Sequence, residues 1–121
     1  MKAVIAFAHG SRDPQWRAPI EAIAAHIQAQ DPNCLTRTAY LELCEPSLPT
    51  AARELVEAGA TEVRILPVFF GMGKHAREDL PELVHELQTG YPYVQWQCLP
   101  TAGENPELLK LLASMALKDP A

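Results

Sequence analysis

Four short strand-like runs alternate with four helix-like runs along the chain, and this alternation restricts the fold more than any other feature. The first run, Ala3-Val-Ile-Ala-Phe-Ala8, has no polar interruption, as expected for a strand covered on both faces. Asp13 then offers an N-cap with Pro14 at the first helical position. Trp16, Ile20, Ile23 and Ile27 follow at helical spacing and predict one apolar face, closed off by Asp31-Pro32-Asn33. A second strand is expected from about Leu35 to Leu43, where Thr36, Thr38 and Tyr40 favour extended chain. Pro46-Ser47 opens the next helix, with Leu48, Ala52, Leu55 and Val56 inward and Gly59 as its left-handed stop.

The third strand, Glu62 to about Val68, runs into Phe69-Phe70-Gly71-Met72-Gly73-Lys74-His75. The helix after it carries Leu80, Leu83, Val84 and Leu87; Asp79 is the expected cap, Pro81 falls in its first turn, and Gly90 with Pro92 ends it. In the last strand Val94, Trp96 and Cys98 alternate with Gln95 and Gln97, a pattern that suits an edge strand with one wetter face. Asn105-Pro106 repeats the cap-plus-proline start, and Leu108, Leu111, Leu112 and Met115 form a final apolar stripe. The order βαβαβαβα predicts an α/β fold: one four-stranded parallel sheet with helices on both faces, joined by right-handed crossovers. At 121 residues the chain suffices for one core, so 1–121 is expected to be a single domain.

Composition removes several classes of function. A formal net charge of -5 with no Lys/Arg run argues against nucleic-acid binding. Lys2 and the apolar residues up to Ala8 imitate a signal peptide, but the run is too short and turns straight into His9-Gly10-Ser11. No stretch approaches the roughly 20 apolar residues of a membrane span. Cys34, Cys44 and Cys98 are odd in number and form no C-x-x-C, against a disulfide framework, a zinc site or an iron–sulfur site. Each is expected to act as a small core residue, and the reducing cytoplasm is the expected location.

In open α/β sheets ligands bind beyond the carboxyl ends of the strands. Two of those ends carry histidine beside glycine, Ala8-His9-Gly10-Ser11-Arg12 and Gly71-Met72-Gly73-Lys74-His75. The second strand adds Glu42 near its end and Glu45 just beyond, either as site acids or as loop acids and caps. His26 and His85 fall within helices and read as surface or helix-packing residues. Imidazole is a common ligand for divalent Co, Fe, Ni and Zn. Two histidines with one carboxylate would leave positions open, so such a site could hold an ion loosely and hand it on. The run Val68-Phe69-Phe70-Gly71-Met72-Gly73 is apolar enough to wall a cleft for a large flat molecule. Val68 and Phe69 are expected in the core, with Phe70 and Met72 open to either role.

Three segments, in this order, carry a resemblance that covers nearly the whole chain. They are Ala8-His9-Gly10-Ser11-Arg12-Asp13-Pro14, Tyr40-Leu41-Glu42-Leu43-Cys44-Glu45-Pro46-Ser47-Leu48, and Leu66-Pro67-Val68-Phe69-Phe70-Gly71-Met72-Gly73-Lys74-His75 with Arg77-Glu78-Asp79-Leu80-Pro81. The chain resembles the short-form sirohydrochlorin chelatases, a class II family with cobalto-, ferro- and nickel-chelating members. The resemblance implies a three-layer, flavodoxin-like chelatase domain and an ATP-independent insertion of Co2+ or Fe2+, with Ni2+ as a third candidate, into sirohydrochlorin. It implies no permanent cofactor, the metal being substrate. The family's metal-handling histidines fall on His9 and His75, and its second-strand acid on Glu42; these three are the candidate catalytic residues. Candidate substrate contacts are Ser11, Arg12, Phe70, Gly71, Met72, Gly73, Lys74 and Arg77.

Met72-Gly73-Lys74 departs from the family pattern, in which many relatives have a proline- or glycine-rich version with arginine before the histidine. Longer class II chelatases consist of two such halves, which implies a homodimer here. Two other readings compete. A metal or tetrapyrrole carrier could use the same loops without turnover. Histidine phosphatases also place His-Gly after a first strand, but Ala8 stands where they have arginine.

Overall fold

The computed structural model describes residues 1–120. Its elements are β1 (Lys2–Ala8), α1 (Pro14–Gln30), β2 (Leu35–Tyr40), α2 (Leu48–Glu57), β3 (Glu62–Pro67), α3 (Lys74–Gly90), β4 (Gln95–Cys98), a 3-10 turn (Ala102–Glu104) and α4 (Pro106–Leu117). The four strands form one parallel sheet in the order β2-β1-β3-β4. The uninterrupted apolar strand β1 is central, and the alternating strand β4 is an edge, as their side-chain patterns require.

Residue parity divides the core. Ile5 and Phe7 of β1 and Val63 and Ile65 of β3 are fully buried with Leu48 and Leu55 of α2 and Leu80, Val84 and Leu87 of α3. Burying each such side chain stabilises the fold by about 1.5–3 kcal/mol. On the opposite face, Ala6, Ala8 and Tyr40 pack against Ile20 of α1. Register then sets the position of the ligand edge. Ala8 pairs with Tyr40 and Phe7 with Pro67, so β1, β2 and β3 end level with one another.

Three boundaries differ from the sequence expectation. β2 stops at Tyr40 instead of Leu43, because the Tyr40 N–H turns to the carbonyl of Pro46 and Leu43 adopts φ 70°, outside the extended region. β3 likewise ends at Pro67, with Val68 in the following loop. α3 begins at Lys74, not near Asp79, with Gly73 as its N-cap at φ -64° and ψ 165°. Pro81 therefore lies inside the helix, where it supplies no N–H to the preceding turn. Burial of Ala76, Leu80, Val84 and Leu87 along one face offsets that loss.

Two expectations about burial also change. Cys34 is buried and Cys44 half-buried, but Cys98 is exposed at the end of the edge strand, and partial shelter of its sulfur raises the thiol pKa. The stripe on α4 is present in sequence but has no buried residue. Leu111 and Met115 are 56% and 61% exposed, and the helix makes its main contact with the 3-10 turn rather than with the sheet. No helix among the described residues is long and apolar enough to cross a membrane.

Candidate functional site

The end of β1 and the bend after β2 are joined by backbone. The Leu41 N–H donates to the Ala8 carbonyl at 2.9 Å, and the Glu42 N–H donates to the His9 carbonyl at 3.0 Å. Gly10, between His9 and Ser11, makes this approach possible. It is buried at φ 109°, and a Cβ there would overlap the Glu42 carbonyl oxygen. The two loops therefore hold Glu42 beside His9, with His9 Nε2 3.1 Å from Glu42 Oε1. His9 Nδ1 lies 3.4 Å from the Gly10 carbonyl, the longer of its two polar contacts. An Nε2–H donated to the carboxylate orients the ring; without that proton, the same nitrogen and oxygen are adjacent donors for a cation.

His75 reaches the same opening from another element. It is the second residue of α3, exposed in the first turn. It shares a cleft of about 550 Å³ with His9, Phe69, Gly71, Gly73, Lys74 and Ala76. Gly73 offers no side-chain cap, which leaves the first N–H groups of α3 available to water or to an anionic group. Among the described residues no three His, Cys, Asp or Glu side chains converge as a metal cage. The donor set is thus a half-exposed His9–Glu42 pair with His75 across the cleft, open and accessible rather than closed.

The other sequence candidates divide among neighbouring surfaces. Gly71, Gly73 and Lys74 line the histidine cleft. Phe70, 70% exposed, faces a second groove of about 430 Å³ with Trp16, Pro19, Ile20 and Leu108. Met72 and Arg77 line a third, of about 580 Å³, with Leu80, Pro81, Val84 and Cys98. Ser11 is used locally: its Oγ accepts the Asp13 N–H at 3.1 Å, and its carbonyl accepts Arg17 Nη1 at 3.1 Å. Arg12, Lys74 and Arg77 enter none of the ion pairs formed among the described residues. Glu45 is exposed in the loop, and His26 and His85 lie on helix surfaces, as expected.

Four residues at this edge are not among the candidate site residues; the sequence places Phe69 in the core and Trp16 on the apolar face of the first helix. Phe69 packs edge-on against Phe7 at 6.1 Å between ring centroids, yet also walls the histidine cleft. Trp16 covers Tyr40 at 6.5 Å but remains 40% exposed. Thr101, buried, donates its hydroxyl toward the carbonyls of Pro67 and Phe69 at 3.3 and 3.2 Å. Gly103 donates its N–H to the Phe69 carbonyl at 2.7 Å, so close to Phe70 that a Cβ would overlap the backbone there. Together Thr101 and Gly103 pin the loop that leads into His75. Only the aromatic types could have flagged Phe69 and Trp16; the pairing of Thr101 with positions more than thirty residues earlier leaves no local signal.

The chain and its fold are matched by known proteins. The CbiX family model matches residues 3–118. The chain belongs to the CbiX family. The CbiX chain is 32% identical to the sirohydrochlorin cobaltochelatase of Methanopyrus kandleri over 84 residues, covering 69% of this chain and 59% of that protein. It is 28% identical to the sirohydrochlorin ferrochelatase of Bacillus subtilis over 113 residues, covering 90% of this chain and 42% of that one. It therefore spans only about three fifths, or less, of the length of these two relatives. Among solved structures, a putative cobalamin biosynthesis CbiX protein from Marinobacter aquaeolei superposes with a TM-score of 0.82 at 28% identity, covering 96% of this chain and 94% of that one. The sirohydrochlorin chelatase SirB from Bacillus subtilis subspecies spizizenii, in complex with cobalt, superposes with a TM-score of 0.79 at 26% identity, covering 96% of this chain but 50% of SirB. The four-stranded βαβαβαβα sheet is the fold these neighbours share.

Proposed function

We propose that this CbiX chain is a sirohydrochlorin chelatase that inserts a divalent metal, Co2+ or Fe2+ and with Ni2+ as a third candidate, without nucleotide hydrolysis. The observation that carries the reading is the His9–Glu42 pair, 3.1 Å apart, with His9 sharing an accessible cleft of about 550 Å³ with His75. The relatives act, by their names, on sirohydrochlorin with cobalt or iron.

The chemistry follows from what the residues can hold. Metal insertion requires two pyrrole N–H protons to leave as the ion enters the macrocycle. His9 Nε2 and the Glu42 carboxylate, 3.1 Å apart, can take a cation between them or accept a proton into an existing hydrogen bond. His75 offers a second imidazole from across the cleft, so ion and proton can be handled on different side chains. An open, half-exposed donor set favours release to a four-nitrogen macrocycle over retention. Phe69 and Phe70 supply apolar walls, while Arg12, Lys74 and Arg77 supply positive charge for the substrate's carboxylates on a chain of net charge -5. Two copies acting together, in the cytoplasm, complete the proposal.

The test is anaerobic, absorbance-followed metallation of sirohydrochlorin with Co2+ and with Fe2+, comparing the wild type with His9→Ala and His75→Ala. Catalysed rates lost in both variants support the chelatase, and the ratio of the two metal rates reports preference. Folded wild-type protein no faster than buffer, with metal held tightly, would instead favour a carrier.

A further inference from the structure

The turn after β4 is built around a buried hydroxyl. Thr101 is 5% exposed, whereas Pro100 before it is exposed and Ala102 after it is half-buried. Burying a hydroxyl is costly unless it is hydrogen-bonded. Its partners here lie 34 and 32 residues earlier, the carbonyls of Pro67 and Phe69. The Gly103 N–H is a second donor to the Phe69 carbonyl, at 2.7 Å. Positive φ does not explain this glycine, since only Gly10 and Gly59 adopt it among the described glycines. What Gly103 supplies is room, because a Cβ there would overlap the backbone of Phe70. The turn does little for the helix behind it, as α4 buries no residue.

The Phe69 carbonyl in turn tethers the loop between β3 and α3. Among the described residues, 69–72 form no other hydrogen bond; the rest of the loop's anchorage is Phe69 packed edge-on against Phe7 and Met72 against the core. This loop gives Phe69, Gly71 and Gly73 to the histidine cleft and leads into His75. The opposite side of the cleft is anchored elsewhere. His9 and Glu42 are set by the Leu41–Ala8 and Glu42–His9 backbone bonds, to which residues 101–103 contribute nothing.

We propose that Thr101 and Gly103 are positioning residues for the macrocycle: they hold the Phe69–His75 side of the cleft, independently of the His9–Glu42 side that meets the metal. The inference rests on the chelatase reading above. Two separately tethered sides mean that loosening one should change the handling of one substrate and spare the other. A turn that merely stabilised the fold would lower the amount of active protein, and so the apparent kcat, and leave both KM values alone.

The experiment is steady-state metallation by the full chain, with sirohydrochlorin and Co2+ varied in turn, beside backbone amide NMR spectra of the same proteins. Gly103→Ala is expected to raise the KM for sirohydrochlorin by at least about tenfold and to keep that for Co2+ within about twofold. Its amide shifts should change across residues 68–77 and not across 39–45. Thr101→Val, which needs no displacement of the backbone, should act in the same direction, and Thr101→Ser should restore the wild-type KM; this pair carries the test if Gly103→Ala does not fold. Gly90→Ala, where a Cβ meets nothing within 4 Å, should match the wild type throughout. Unchanged KM values in folded Gly103→Ala and Thr101→Val, or KM values for sirohydrochlorin and Co2+ that rise together, overturn the proposal. Shift changes that spread equally into 39–45 overturn the independence of the two sides. A wild type no faster than buffer removes the chelatase reading and the macrocycle assignment with it, while shifts confined to 68–77 would still support the tether.

Discussion

Gly10→Ala is the sharpest probe of the candidate site, because it touches neither of the side chains it is expected to disable. At φ 109° an L-residue is strained by about 1–3 kcal/mol. The added Cβ would also overlap the Glu42 carbonyl oxygen, well inside the 3.0 Å that real Cβ atoms keep. Relief requires the two loops to part by more than about 1 Å. That separation stretches the Leu41–Ala8 and Glu42–His9 backbone hydrogen bonds, each worth about 1 kcal/mol. The expected destabilisation is about 3–5 kcal/mol in total, within the 5–15 kcal/mol typical of a domain, so the variant folds but melts roughly 10–20 °C lower. Moving His9 away from Glu42 by about 1 Å is expected to slow metallation by about 100-fold. Thermal denaturation and the absorbance assay at a temperature where the variant is folded measure the two effects separately. Gly59→Ala is the control: its φ is 101°, but a Cβ there meets nothing within 4 Å, so strain alone should lower the melting temperature and leave the rate unchanged. A Gly10→Ala protein that melts like Gly59→Ala and metallates like the wild type would show that the two loops do not set the His9–Glu42 geometry.

Glu42→Gln keeps the shape beside His9 but removes the negative charge, and should lower the metallation rate by about 10- to 100-fold with little change in melting temperature. Thr101→Val removes the buried hydroxyl from the Pro67 and Phe69 carbonyls, the latter keeping the Gly103 N–H, and is expected to cost about 1–3 kcal/mol by chemical denaturation, with Thr101→Ser recovering most of it. Replacing Arg12 or Lys74 by Ala should weaken sirohydrochlorin binding, read by fluorescence quenching, more than Co2+ binding, read by calorimetry; equal effects on both would count against a substrate-facing charge.

Some of this protein could be read from the chain because its causes are local. The apolar run Ala3–Ala8 needs cover on both faces and lies at the centre of the sheet; the alternation around Trp96 needs one wet face and lies at an edge. Asp13, Ser47 and Asn105 cap the helices they precede, each with its own side chain. With strand ends aligned by parallel pairing, the edge bearing His9 and His75 followed directly. Tertiary structure decided the rest, where two distant segments compete for one group. Asp79 and Pro81 carry the signature of a helix start, but burial of Ala76 and Leu80 draws α3 back to Lys74 and brings His75 into its first turn. Tyr40 looks like mid-strand, yet its N–H is taken by Pro46, which ends β2 early and leaves Glu42 in the bend that meets His9. The stripe on α4 has the spacing of a core helix, and periodicity reports only that a face should be buried. Which surface buries it depends on contacts between segments far apart, or between chains, that no local pattern encodes.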